Sequence, residues 1–101
     1  MSIGITLLDN VNVNTIGEAK NTNGFDGALY FQAQDWGGAS VTIELSIDNA
    51  NWIQLTRNDA PFAVSQNQVN KIEKIGQAAQ IRAVLSNASG MTNNVKVVYV
   101  R

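Results

Sequence analysis

Two residue types that carry much of enzyme chemistry are missing: the 101-residue chain has no cysteine and no histidine. Without cysteine there is no thiolate nucleophile, no disulfide and no zinc–thiolate site, and composition is silent on redox compartment. Without histidine the imidazole base and the Ser–His pair are gone. Charge is also scarce, at 15% of residues against an average of about 25%. The net charge is −1, and Lys20, Arg57, Lys71, Lys74, Arg82, Lys96 and Arg101 are scattered. That distribution lacks the basic footprint of a nucleic-acid binder. No apolar run approaches the roughly 18 residues of a membrane helix. Met1 to Asp9 has neither a basic n-region nor an adequate apolar h-region, so a protein made and kept in the cytoplasm until assembly is expected. Proline occurs once, as Pro61 in Asp59-Ala60-Pro61, a loop or strand-entrance signal.

What is present is apolar residues, at 45%, together with 13 asparagines and 7 glutamines. The length fits one domain, residues 1–101, with one hydrophobic core. Low charge does not mean disorder when the apolar share is this high. Amides hydrogen-bond without adding charge, so they suit a surface that meets another surface. Equally, asparagine serves turns and strand ends.

The dominant period is two. From Ala39 to Ile47, Val41, Ile43, Leu45 and Ile47 alternate with Ser40, Thr42, Glu44 and Ser46, one set for a core and one for water. Asp48-Asn49-Ala50-Asn51 is a run of turn formers, and Trp52 to Thr56 reads as the returning strand. Gln80 to Ser86 alternates, with Ile81, Ala83 and Leu85 on one face; Asn87-Ala88-Ser89-Gly90 is a turn. Asn94 to Arg101 is a β-branched strand with apolar residues on both faces, so a partner subunit is a natural second cover. Gly27 to Ala33 is a further strand, and Ile3 to Leu8 a weaker one or an arm. Asn10, Asn12 and Asn14 alternate with Val11 and Val13, as in a short strand with an amide row. Gln68 to Ile75 fits a strand or irregular structure better than its hint of a helical turn. About seven to eight strands, with turn signals near every ten residues, predict an all-β, single-domain antiparallel β-sandwich or jelly roll. Residues 1–14 form a possible N-terminal arm.

No catalytic constellation is found, and the chain is read as no enzyme. Asp9, Glu18, Asp26, Asp35, Glu44, Asp48, Asp59 and Glu73 mostly sit beside turn residues, as solvated carboxylates do, rather than in a spacing that implies a glycosidase pair. The run from Asp48 fails the EF-hand pattern, because Ala50, Trp52 and Ile53 fall where oxygen ligands and glycine belong. Asp9, Asn10, Asn12 and Asn14 offer oxygens, but strand and turn roles account for them. No metal or cofactor is expected. Asn87-Ala88-Ser89 is formally a glycosylation sequon and more simply a turn. Trp36, before Gly37-Gly38, suits a carbohydrate platform or a protein interface, or else covers one end of the sandwich. Trp52, directly after a turn, is expected in the core.

Two stretches carry a family resemblance. Ala39 to Trp52 resembles the hairpin of small phage virion proteins, capsid-decorating and head-associated ones, in which an alternating strand runs into Ser-x-Asp-x-x-x-Trp. Ile75 to Ser86 resembles the strand of the same proteins in which an apolar residue and a Gly-rich turn lead into Gln-aromatic-Arg-Ala-x-x-Ser, with Ile81 at the aromatic position. Together they span roughly residues 39–101. The resemblance implies a virion component, often trimeric and lying on the capsid surface. The expectation is thus a phage structural protein, most specifically a capsid-decorating protein, which binds the major capsid protein or another virion protein and forms a homo-oligomer, a trimer being favoured. Neither nucleic acid nor membrane is expected as a partner. The alternative is a carbohydrate- or receptor-binding module of a tail or fibre, using Trp36, Asp35 and nearby amides, or another connector component. Interface candidates are Ile3, Ile5, Leu7, Trp36, Arg82, Val98 and Val100. For Arg82 a surface ion pair with Glu44 or Asp48 competes with a subunit contact.

Overall fold

The alternation from Ser40 to Ser46 becomes a central strand, because each second side chain finds a buried place. Val41 and Ile43 are fully buried, and Ser40, Thr42 and Glu44 lie on the other side. In the computed structural model, residues 4–21, 27–57, 60–72, 80–88 and 93–100 are described, the side chains of 57, 60, 61 and 72 excepted. The strands are β1 (Gly4–Val11), β2 (Thr15–Ile16), β3 (Lys20–Asn21), β4 (Gly27–Gln32), β5 (Ser40–Ser46) and β6 (Ile53–Gln54), followed by β7 (Thr56–Arg57), β8 (Ala60–Pro61), β9 (Ala63–Val64), β10 (Gln68–Ile72), β11 (Gln80–Ser86) and β12 (Val95–Val100). No helix occurs among the described residues.

The strands form two antiparallel sheets. Sheet A has the order β1-β12-β4-β10. Sheet B has the order β2-β11-β5-β6, with β3 also on β11 and β9 also on β5. β7 and β8 form a separate two-stranded ribbon. The inward faces share one core. β12 gives it Val95, Val97 and Tyr99, β4 gives Leu29 and Phe31, and β11 gives Ile81, Ala83 and Leu85. Register pairs large with small where the sheet is tightest, as with Ala83 opposite Ile43. The Phe31 and Phe62 rings meet edge to face at 6.0 Å, a favourable aromatic arrangement. Each fully buried aliphatic side chain stabilises the fold by about 1.5–3 kcal/mol. Gly27 is required because of Tyr99: a Cβ there would lie 2.7 Å from the ring's Cζ. Gly17 is required because a Cβ would reach 2.6 Å from the Leu7 carbonyl oxygen and 2.9 Å from that of Ala83, which its N–H holds close at 2.8 Å.

Several expectations change. Gly4–Val11 is the edge strand of sheet A, paired with β12, and not an arm. Leu7 and Leu8 are both buried because the register shifts between Thr6 and Leu8, and a bulge of this kind breaks the two-residue period. The amide row of Asn10, Asn12 and Asn14 is not a strand of its own. Val11 ends β1, and the Asn12 and Asn14 side chains accept the backbone N–H groups of Asn94 and Ala88, each at 2.8 Å. Gln68–Ile72 is a strand, while 73–75 lie outside the described residues, as do 75–79 of the second resembling stretch. Trp52 is not in the core: it is half-buried, with the Arg82 guanidinium 4.0 Å above its ring.

Candidate functional site

The residues of sheet A that point away from the core make a graded surface. Near one end Gly4, Val100, Ala28 and Lys71 are paired in register across the four strands. The next row is Thr6, Val98, Tyr30 and Val69. Tyr30 is 46% exposed and Val69 55%, with Val98 half-buried between them and Thr6, so this row presents an aromatic ring and two valines outward. The following row is Lys96 beside Gln32, and beyond it come Asn10, Gln34 and Asn94. The face thus runs from apolar to amide along the strand direction. Two shallow hollows record the change. One of about 380 Å³ is lined by Tyr30, Gln32, Lys96, Val98 and Val100. The other, of about 560 Å³, is lined by Asn10, Gln32, Ala33, Gln34, Asn94 and Lys96. Gln32 and Lys96 belong to both.

The outward face of sheet B differs. Arg82 on β11 lies opposite Glu44 on β5, and its Nε and a terminal nitrogen both contact Glu44 Oε1 at 2.7 Å. With Trp52 beneath the guanidinium, the cluster satisfies itself. Of the two roles considered for Arg82, the structure displays the surface ion pair, and the partner is Glu44 rather than Asp48. Asp48 is occupied at the hairpin tip. It accepts the N–H groups of Ala50 and Asn51 at 2.9 and 2.8 Å, the Asn51 side-chain amide at 2.8 Å and the Ser46 hydroxyl at 2.9 Å. The backbone donors of Asn51 and then Ala50 hold its carboxyl well below the usual carboxylate range.

The interface candidates are scattered by the fold. Ile3 lies outside the described residues. Ile5 pairs with Tyr99 and packs against the core. Leu7 is buried at 4% exposure and is unavailable to a partner. Trp36 is half-buried at the end of the sandwich against the core, and its Nε1–H donates to Asn67 Oδ1 at 2.9 Å, which fits the role of an end cover. Val98 and Val100 do lie together on the outward face of sheet A, half-buried. Tyr30, Val69, Gln32 and Lys96 were missed. The alternation of Leu29 and Phe31 with Tyr30 and Gln32 marks them as outward, but only the pairing of β4 with β12 brings them beside Val98. Among the described residues no group of three or more acidic side chains gathers as a metal ligand set.

Compared with known proteins, the chain matches no family model, no curated protein and no solved structure.

Proposed function

We propose that this chain is a non-catalytic phage virion protein with a jelly-roll fold, which acts by burying the apolar end of the outward face of sheet A against a neighbour. Strand order supports the fold. With β2 and β3 taken as one segment and β6 to β9 as another, sheet A runs first, last, third, sixth, and sheet B runs second, seventh, fourth, fifth. That order is the two interleaved Greek keys of a jelly roll, an architecture common in viral capsid domains and lectins. The hairpin resemblance supplies the virion class, and the decorating role follows from it.

One observation carries the mode of action: the in-register row of Val98, Tyr30 and Val69, with Val100 beside it, on the outward face of sheet A, where Tyr30 and Val69 are exposed. Large apolar side chains left in register on a flat sheet are suited to docking, because contiguous exposed apolar surface marks interaction sites. A stable contact needs about 800 Å² from each partner. The molecule measures 35 × 33 × 25 Å, so a broad side can supply that area. Low charge favours close approach, and a homo-oligomer, favoured as a trimer, on the capsid surface fits this chemistry.

The test is the composition of density-purified particles from a lysate that expresses this chain. Quantitative mass spectrometry should find it in fixed proportion to the major capsid protein. Its complete absence from the particles, with all of it left in the soluble fraction, would defeat the proposal.

A further inference from the structure

We propose that the amide-lined groove at the Lys96 end of sheet A binds a saccharide that carries a carboxylate on one of its sugar rings. The proposal stands on the groove's own lining and does not rest on the virion reading.

The lining selects the ligand class. Its polar side chains are Asn10, Gln32, Gln34, Asn94 and Lys96. A carboxamide offers two donors and an acceptor on one planar group, and a sugar hydroxyl is likewise both donor and acceptor. Four amides therefore match a string of hydroxyls. Among the described residues no carboxylate lines the groove, so these residues offer a divalent cation no anionic ligand. One lone ammonium balances the single charge of a carboxylate, whereas a phosphate monoester carries about −1.5 to −2. Lys96 has no acidic partner among the described residues, and its exposed side chain is available to that carboxylate.

The groove is also held in shape before any ligand arrives. The Asn94 side-chain amide donates to Gln34 Oε1 at 2.6 Å, and the Asn94 backbone N–H donates to Asn12 Oδ1 at 2.8 Å. These bonds orient Gln34 Nε2, a donor, and Asn94 Oδ1, an acceptor. Asn10 and Asn94 take φ of 51° and 47°, left-handed values that fix where the chain turns at the rim. Pre-set polar groups lower the ordering cost of binding. The hollow, of about 560 Å³, is open to solvent, so a bound saccharide would lie in it partly exposed. Next to the amides, sharing Gln32 and Lys96, lies the apolar hollow with Tyr30, Val98 and Val100.

Amide NMR titrations test the site, with three probes: a galacturonate trisaccharide, sialyllactose and the neutral maltotriose. At least one acidic probe should shift the resonances of Gln32, Gln34, Asn94 and Lys96, with Kd below about 1 mM. Whichever acidic probe wins tells a uronate source from a sialate source. Lys96→Met should weaken that binding about tenfold or more, and Gln32→Ala about three- to tenfold. Both side chains are exposed, so circular dichroism and thermal melting should match the parent. The proposal is overturned if neither acidic probe moves these resonances up to about 10 mM, or if maltotriose binds as well as the acidic sugars and Lys96→Met changes nothing. Repeated on Val98→Lys, which keeps the groove residues but disables the apolar row, the titration reads the groove free of any neighbour, so its failure there would leave the assembly proposal standing.

Discussion

Asn10, Asn49, Asn87 and Asn94 all take left-handed φ, between 47° and 61°. Asparagine tolerates that region better than other residues that carry a Cβ, because its short amide bonds locally. Asn12, Asn14, Asn67 and Asn93 use their side chains to hold backbone groups at the end of the sandwich where Trp36 sits. Part of the amide surplus is therefore consumed in shaping turns, and Asn10 and Asn94, which also turn the chain, line the groove near Lys96 with Gln32 and Gln34. The two tryptophans also illustrate residue-scale limits. Both follow or precede turns, yet neither is fully buried: one covers an end and the other lies under Arg82. Ile43→Ala should therefore cost about 2–5 kcal/mol through the cavity it leaves. Trp52→Ala should cost only about 1–2 kcal/mol, for a half-buried ring and a cation–π contact. Urea unfolding of the two variants checks the order, and a Trp52 cost equal to that of Ile43 would restore the tryptophan to the core. Alternation located Ile43 without difficulty. Trp52 was not legible, because a residue after a turn belongs to neither face until the neighbouring strand is known.

At the scale of elements, β11 could be read directly, since its period of two runs unbroken for seven residues. β5 keeps the period only as far as Glu44: Ser46 is buried and Ile47, expected on the core face, is 84% exposed. In β12 burial alternates although the sequence is apolar on both faces. β1 could not be read directly, because its bulge places Leu7 and Leu8 both inside. The pairing of strands distant in sequence was illegible too, and with it the row that joins Val98 to Tyr30. The Asp48 turn was legible in type, since a short carboxylate before asparagine and alanine accepts the N–H groups of its own loop. Its pH response follows from the lowered pKa. The contribution of the ionised carboxylate is present above the ordinary aspartate value, and it is lost as pH falls through the lower folded value. Between about pH 6 and pH 2, hydrogen exchange at the Ala50 and Asn51 amides should therefore accelerate, relative to the intrinsic rate, only toward the acid end. In Asp48→Asn that acid-linked change should vanish. Equal acid sensitivity in the variant would show that another carboxylate controls the turn.

At the scale of the whole molecule, composition and period fixed the class, all-β with one core, while strand order and the identity of the open face emerged only from the fold. The jelly-roll proposal and the docking proposal share one physical premise. A sandwich buries one face of each sheet. On the outward side of sheet B, Arg82, Glu44 and Trp52 form a cluster, while Ile16 on β2 stays 64% exposed. On sheet A, Tyr30 and Val69 are exposed beside the half-buried Val98 and Val100, and these four lie together in adjoining rows. Substitution at the centre of that row separates a docking face from idle surface, because Val98 contributes nothing to the inward core. The most direct measurement is mass in solution by light scattering, at micromolar concentrations, for the parent chain and Val98→Lys. The expected result is a trimeric parent and a monomeric variant with the same circular dichroism; a parent that stays monomeric, or a variant that assembles as the parent does, would contradict the claim that this face exists to be covered.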